Sequence, residues 1–146
     1  MSRIFIGSDR LGYELKEQII IHLSSNGREV IDIGPFEYES VNYPEIAVEA
    51  SRHVSKNQAS FGILICSTGI GMSIAANKIK GIRAANCTSV YSAEHSRLHN
   101  DANVLCLGAS VIELKNALKM VDKFLSTPFE EGKHSIRVKM IDNIES

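Results

Sequence analysis

The stretch Phe61-Gly-Ile-Leu-Ile-Cys66-Ser-Thr-Gly-Ile-Gly-Met72, continuing through Ser73-Ile-Ala-Ala-Asn-Lys78, decides the fold. Phe61 to Ile65 is a short apolar run, the pattern of a parallel strand buried on both faces. Ser73 to Ile79 is rich in Ala and Ile, with polar Asn77 and Lys78, and predicts a helix. Between them lie a thiol, two hydroxyls and two glycines, from Cys66 to Gly71. A strand that ends in such a turn aims backbone N–H groups and a helix N-terminus at one point, which suits an anion. The same field would stabilise a thiolate at Cys66. Taken alone, the spacing fits equally a tight turn at Gly69 and Gly71, with Cys66 a small buried hydrophobe.

Working outward, the alternation repeats. Arg3 to Gly7 is a first strand, stopped by Gly7-Ser8-Asp9-Arg10. Leu11, Leu15, Ile19 and Leu23 then recur at helical spacing, ending near Asn26-Gly27. Glu29 to Ile33 is a second strand before Gly34-Pro35, and Pro44 suits the first turn of a helix whose stripe is Ile46, Ala50 and Val54. Beyond the central unit, Ile82 to Cys87 and Asn103 to Leu107 read as strands around a helix from Val90 to His99. Leu114, Leu118, Val121 and Leu125 predict an amphipathic helix ended by Thr127-Pro128. A basic segment, Lys133-His-Ser-Ile-Arg137, precedes a last short helix. Five strands alternating with helices predict an α/β fold, an open parallel sheet with helices on both faces. Sites in such sheets lie outside the carboxyl ends of the strands. That places Asp9-Arg10, Cys66 to Gly71 and Gly108 to Ser110 along one edge.

Length and composition narrow the function. The chain has 146 residues, and residues 1–146 are expected to form a single domain. A net charge of -1 argues against a general nucleic-acid or anionic-membrane binder. No apolar run approaches the roughly 18 residues of a membrane span. Cys66, Cys87 and Cys106 are odd in number and far apart, which fits a reducing compartment. No signal peptide is evident, so a cytoplasmic enzyme or binding domain is expected.

Several chemistries can be tested against the predicted edge. A dinucleotide fingerprint would need a third glycine where Ile74 stands. A phospho-receiver domain would need Asp at position 66, and Lys where the chain reads Gly108-Ala-Ser110. A small Cys-dependent phosphatase would need Arg at position 72, which is Met. No HExxH or paired Cys/His spacing suggests a metal. Proton transfer next to a carbonyl fits what remains, a Cys beside an anion cradle.

The run Cys66-Ser-Thr-Gly-Ile-Gly-Met-Ser-Ile-Ala-Ala-Asn-Lys78 resembles the signature of the ribose-5-phosphate isomerase B family, which includes allose- and galactose-6-phosphate isomerases. Gly7-Ser-Asp9, Ser40-Val-Asn-Tyr-Pro44, His99-Asn-Asp-Ala-Asn-Val-Leu-Cys-Leu-Gly108, and Gly132-Lys-His134 with Arg137 extend the resemblance over essentially the full chain. It implies a Rossmann-like three-layer α/β/α sandwich and a cofactor-free aldose–ketose isomerase. It also implies a homodimer or tetramer with sites between subunits, and a sugar phosphate as small-molecule partner. Segment 128–146 would contact the partner subunit. Cys66 would be the base moving a proton between C1 and C2. Thr68, with the backbone of Ser67, Gly69, Ile70 and Gly71, would hold the enediolate oxygens. His99, with Asp9, would assist ring opening, and Asn100 would bind sugar hydroxyls. Lys133 and Arg137 would bind phosphate. A tetrose or hexose phosphate as substrate, or a non-catalytic subunit of a two-subunit isomerase, are the alternatives.

The chain departs from the family pattern at Arg10, where most relatives carry His, and at Ser110, where many carry Arg. Lys133 replaces a usual Arg and lacks its bidentate fork. Asn42 stands for a more usual Asp. The exchange at positions 10 and 110 predicts a phosphate anion held nearer the first strand, balanced by Arg10, Lys133 and Arg137.

Overall fold

In the computed structural model residues 2–144 are described; Met1, Glu145 and Ser146, at the ends of the expected domain, lie outside them. The elements run β1 (Arg3–Ser8), α1 (Tyr13–Ser25), β2 (Val30–Gly34), α2 (Tyr43–Lys56), β3 (Ser60–Cys66) and α3 (Ile70–Ala76). Then follow β4 (Ala84–Asn86), α4 (Val90–Leu98), β5 (Val104–Gly108), α5 (Leu114–Ser126) and α6 (Lys133–Asp142). The strands form one sheet in the order β2-β1-β3-β5-β4, and every pairing is parallel. The apolar run of β3 therefore occupies the middle, covered on both sides.

The period-2 alternation of the strands sorts their side chains into two cores. Ile4, Ile6, Ile63, Ile65, Leu105 and Leu107 face α1, α4 and α5, whereas Phe5, Leu64, Cys66, Val104 and Cys106 face α2 and α3. Cys66 thus lies on the face of Met72 and Ala76.

Four expectations need correction. Leu11 precedes α1 and is exposed, because Gly12 lies so close to Ile65 that the chain must cross the end of β3 before the helix begins. The buried stripe of α5 is Ala117, Met120, Val121 and Phe124, and Leu114 is exposed. Phe124, the largest of these, meets Phe61 edge-on at 5.5 Å and turns the leucines to the flanks. The helix after β3 starts at Ile70 rather than Ser73, since Gly69 takes a φ of 80° and reverses the chain at once. The basic segment forms the first half of α6 itself.

Two buried cations secure opposite ends of the sheet. Lys16 is fully buried in α1 and donates to both Asp32 oxygens at 2.9 and 2.8 Å and to the Pro35 carbonyl at 2.7 Å. It holds the carboxyl end of β2. Arg97, near the end of α4, lies over the rings of Phe61 and Phe124 at 4.9 and 5.9 Å. It donates to Asp101 at 2.8 Å, to the Ala102 carbonyl at 2.7 Å and to the Thr127 carbonyl at 3.2 Å. It holds the turn leading into β5. Burying either charge without these partners would cost several kcal/mol.

Candidate active site

Cys66 is the last residue of the central strand and is 7% exposed. Its sulfur accepts the Gly69 N–H at 3.2 Å. The Ile70 N–H turns to the Thr68 hydroxyl at 3.2 Å. Two of the cradle amides expected to face a bound anion are therefore occupied by side chains of the cradle itself. Gly71 lies in the first turn of α3, where an N–H has no carbonyl one turn earlier to accept it. Thr68 is exposed and Ser67 half-buried.

The neighbouring strand ends complete this edge. The Asp9 N–H bonds the Ile65 carbonyl at 3.0 Å, which sets Asp9 beside Cys66. One Asp9 carboxylate oxygen accepts the Gly12 N–H at 2.8 Å, which commits that oxygen to the turn before α1. Arg10 is exposed and has no carboxylate partner among the described residues. Ser110 is tied to the cradle by its N–H to the Ser67 carbonyl at 2.9 Å and by a 3.0 Å contact between the two hydroxyls.

Tyr43 and Asn86 also belong here, and sequence reasoning gave neither a role. The Tyr43 ring, at the start of α2, lies where a Cβ on Gly71 would sit, 2.7 Å from its position. The Asn86 amide group, at the end of β4, occupies the corresponding place beside Gly69. The family-like run from Ser40 to Pro44 contained the signal for Tyr43. Asn86 had none, since an Asn ending a three-residue strand is an ordinary turn residue.

His99, Asn100, Lys133 and Arg137 gather at the opposite edge. In a parallel sheet each helix returns antiparallel to the strands, so the C-cap of α4 lies at their amino ends. The Arg83 N–H bonds Asn103, and its side chain reaches Asp101, which pins this turn to the start of β4. The seven residues of β3 span about 20 Å at 3.3 Å per residue. Cys66 and His99 are separated by that order of distance within one chain, and His99 does not meet Asp9. Asn100 borders a cleft of about 500 Å³ with Arg83 and Ile141.

The imidazoles stack in a column at the amino edge. Tyr91 and His95 lie 3.8 Å apart, His95 meets His99 edge-on at 5.1 Å, and His99 stacks on His134 at 4.2 Å. His134 is the support of the His99 ring. Burial, followed by the neighbouring His99, lowers the His134 pKa below 6.5; Glu130 opposes this, while Lys133 and Arg137 add to it. Lys133 and Arg137 are exposed, one turn apart on α6, without carboxylate partners among the described residues. Cys87 and Cys106 lie in the core, and burial raises both thiol pKa values, most strongly for Cys106.

A parallel sheet with a thiol and a glycine turn at the carboxyl end of its central strand defines an α/β domain of Rossmann-like build. Residues 4–141 match the family Ribose/Galactose Isomerase, and the chain belongs to that family. It is 46% identical to ribose-5-phosphate isomerase B of Escherichia coli, over 99% of this chain and 97% of that one. The ribose 5-phosphate isomerase structure from Thermotoga maritima superposes with a TM-score of 0.94 at 45% identity, covering 98% of this chain and 99% of that chain. Ribose-5-phosphate isomerase B of Mycoplasma genitalium, solved with bound ribulose-5-phosphate, gives 0.93 at 41% identity, covering 96% and 93%. No helix among the described residues is long and apolar enough to cross a membrane.

Proposed function

We propose that the chain is a cofactor-free isomerase interconverting a phosphorylated aldose and ketose, with ribose 5-phosphate and ribulose 5-phosphate as the pair. The observation that carries this reading is the Cys66 sulfur beneath the Gly69 amide at the end of the central strand, in a family named for ribose and galactose isomerases. From the aldose, the Cys66 thiolate removes the C2 proton while the C1 carbonyl becomes the O1 oxyanion of an enediolate. The thiol then returns a proton to C1, and the O2–H proton passes to O1 as the C2 carbonyl forms. Thr68 and the Gly71 amide hold the two oxygens where charge develops.

The remaining groups come from a second copy of the chain. His99 of the partner subunit opens the sugar ring, and its Asn100 binds sugar hydroxyls. Lys133 and Arg137 of the same partner take the phosphate, joined by Arg10 from the chain that supplies Cys66 and Asp9. A homodimer, or a pair of dimers, results, with residues 128–144 of each chain against the other and the cytoplasm as its location. What supports this reading is the division of the site residues between opposite edges of one sheet.

Turnover measured on tetrose, pentose and hexose phosphates, for the wild type and for Cys66→Ala, tests the assignment. Ribose 5-phosphate should be the fastest substrate, and the variant should lose it. A faster hexose phosphate would move the substrate assignment, and wild-type turnover in the variant would remove Cys66 as the base.

A further inference from the structure

Glu130, His134 and His99 converge on one point at the amino edge. His99 Nε2 lies 3.9 Å from one Glu130 carboxylate oxygen, and His134 Nε2 lies 3.8 Å from the other. One ligand atom from each of the three residues falls within 4.8 Å of the other two. The N···O distances are too long for hydrogen bonds, so the groups face each other without consuming each other's lone pairs. Neither ring makes another hydrogen bond among the described residues.

The backbone brings Glu130 there. Glu131 and Gly132 both take positive φ, 64° and 61°, which folds Glu130 back towards the first turn of α6. The Glu130 N–H bonds the Leu98 carbonyl at 3.0 Å, fastening it to the end of α4 beside His99. Stacked rings 11° from parallel present their Nε2 edges to the same carboxylate. Two imidazoles and a carboxylate are the donor set of a zinc-type site with an open fourth position. At metal–ligand distances of about 2.1 Å, tetrahedral ligand atoms sit about 3.4 Å apart, so rotamer adjustments of roughly an ångström close the cluster. In the single chain the side chains of His99 and Glu130 are 41% and 56% exposed.

We infer that His99, Glu130 and His134 form a site for one divalent transition-metal ion of the zinc class, and that its occupation takes the His99 ring out of use. The ion is an inhibitor and has no part in the proton transfer. The consequence for activity rests on the role proposed above for His99; the site itself does not.

The test uses Zn²⁺ and Co²⁺ on the whole protein in a Cys66→Ala background, which removes the least buried of the three thiols as a competing ligand. Equilibrium dialysis should give one saturable ion per chain, and bound Co²⁺ should show visible bands of a low-symmetry site, displaced by Zn²⁺. Glu130→Gln and His134→Ala should each weaken binding at least tenfold. Glu130 is largely exposed, so its replacement leaves the fold in place, which a melting curve checks. Absence of saturable binding, or affinity unchanged in both variants, overturns the site. In the Cys66-containing enzyme, Zn²⁺ should inhibit, a chelator should restore the rate, and Glu130→Gln should raise the inhibiting concentration at least tenfold. Binding at this site with an unimpaired isomerase would support the cation site and overturn instead the assignment of ring opening to His99.

Discussion

Around Cys66, at the carboxyl edge of the sheet, the polar groups are mainly backbone amides and small hydroxyls, flanked by Asp9 and Arg10; at the amino edge imidazoles and long cations gather around Glu130. The first set is held by the strand–turn–helix itself: Cys66 ends β3, Gly69 reverses the chain, and the amide bond to sulfur follows from that turn. The second is held by side chains and caps, with Arg97 and Arg83 clamping Asp101 and His134 stacked under His99. The difference matches two tasks. Stabilising charge that appears during proton transfer needs donors that do not reorganise, which backbone provides. Capturing a phosphate and opening a ring needs charge and reach, which side chains provide. Under the proposed roles, each edge of a chain supplies mainly one of the two.

The largest effect expected is at the carboxyl edge. Cys66→Ala should lower kcat by on the order of 10² to 10⁴ while changing substrate affinity far less, as measured by steady-state kinetics with ribose 5-phosphate. The amino edge should behave in the opposite sense. Arg137→Ala should raise KM about ten- to a hundredfold, from the loss of about 1.5–3 kcal/mol in charge-assisted contacts, with kcat less affected. A kcat loss matching that of Cys66→Ala would erase the division of labour between the edges.

Much of the carboxyl edge was legible in the sequence because its parts are contiguous or follow strand ends, where topology alone assigns their place. Asp9, the cradle and Ser110 needed only the alternation of elements. The histidine column and its Glu130 were not legible. His95, His99 and His134 come together through stacking across two helices, and Glu130 is folded back by two left-handed residues that local propensity does not announce. The α5 stripe was misjudged because leucine spacing competed with the deeper burial of Phe124. That the α3 helix begins at Ile70 depended on one φ angle at Gly69.

Rigidity of the carboxyl edge can be probed without touching the base. Gly71→Ala would press a Cβ into the Tyr43 ring, and crowding of this kind costs about 1–3 kcal/mol. Its activity and melting temperature should both fall, and adding Tyr43→Ala should restore part of the melting temperature. An unshifted Gly71→Ala protein would mean that Tyr43 moves aside freely and does not brace the cradle.

A smaller effect is expected where the two edges would share the phosphate. Arg10→His should raise KM several-fold, and adding Ser110→Arg to that variant should recover part of the loss, since both positions border the Cys66 edge. Unchanged KM in Arg10→His would leave the phosphate charge to Lys133 and Arg137 alone.

The central claim is that one working site takes the carboxyl edge of one chain and the amino edge of another. Co-expression of Cys66→Ala and Arg137→Ala chains measures it most directly. Mixed dimers would carry one site with both residues intact, so the pool should show about a quarter of the wild-type rate at low substrate, because half of the dimers are mixed and each has one good site. A pool no more active than the two variants assayed separately would contradict the claim and confine each site to a single chain.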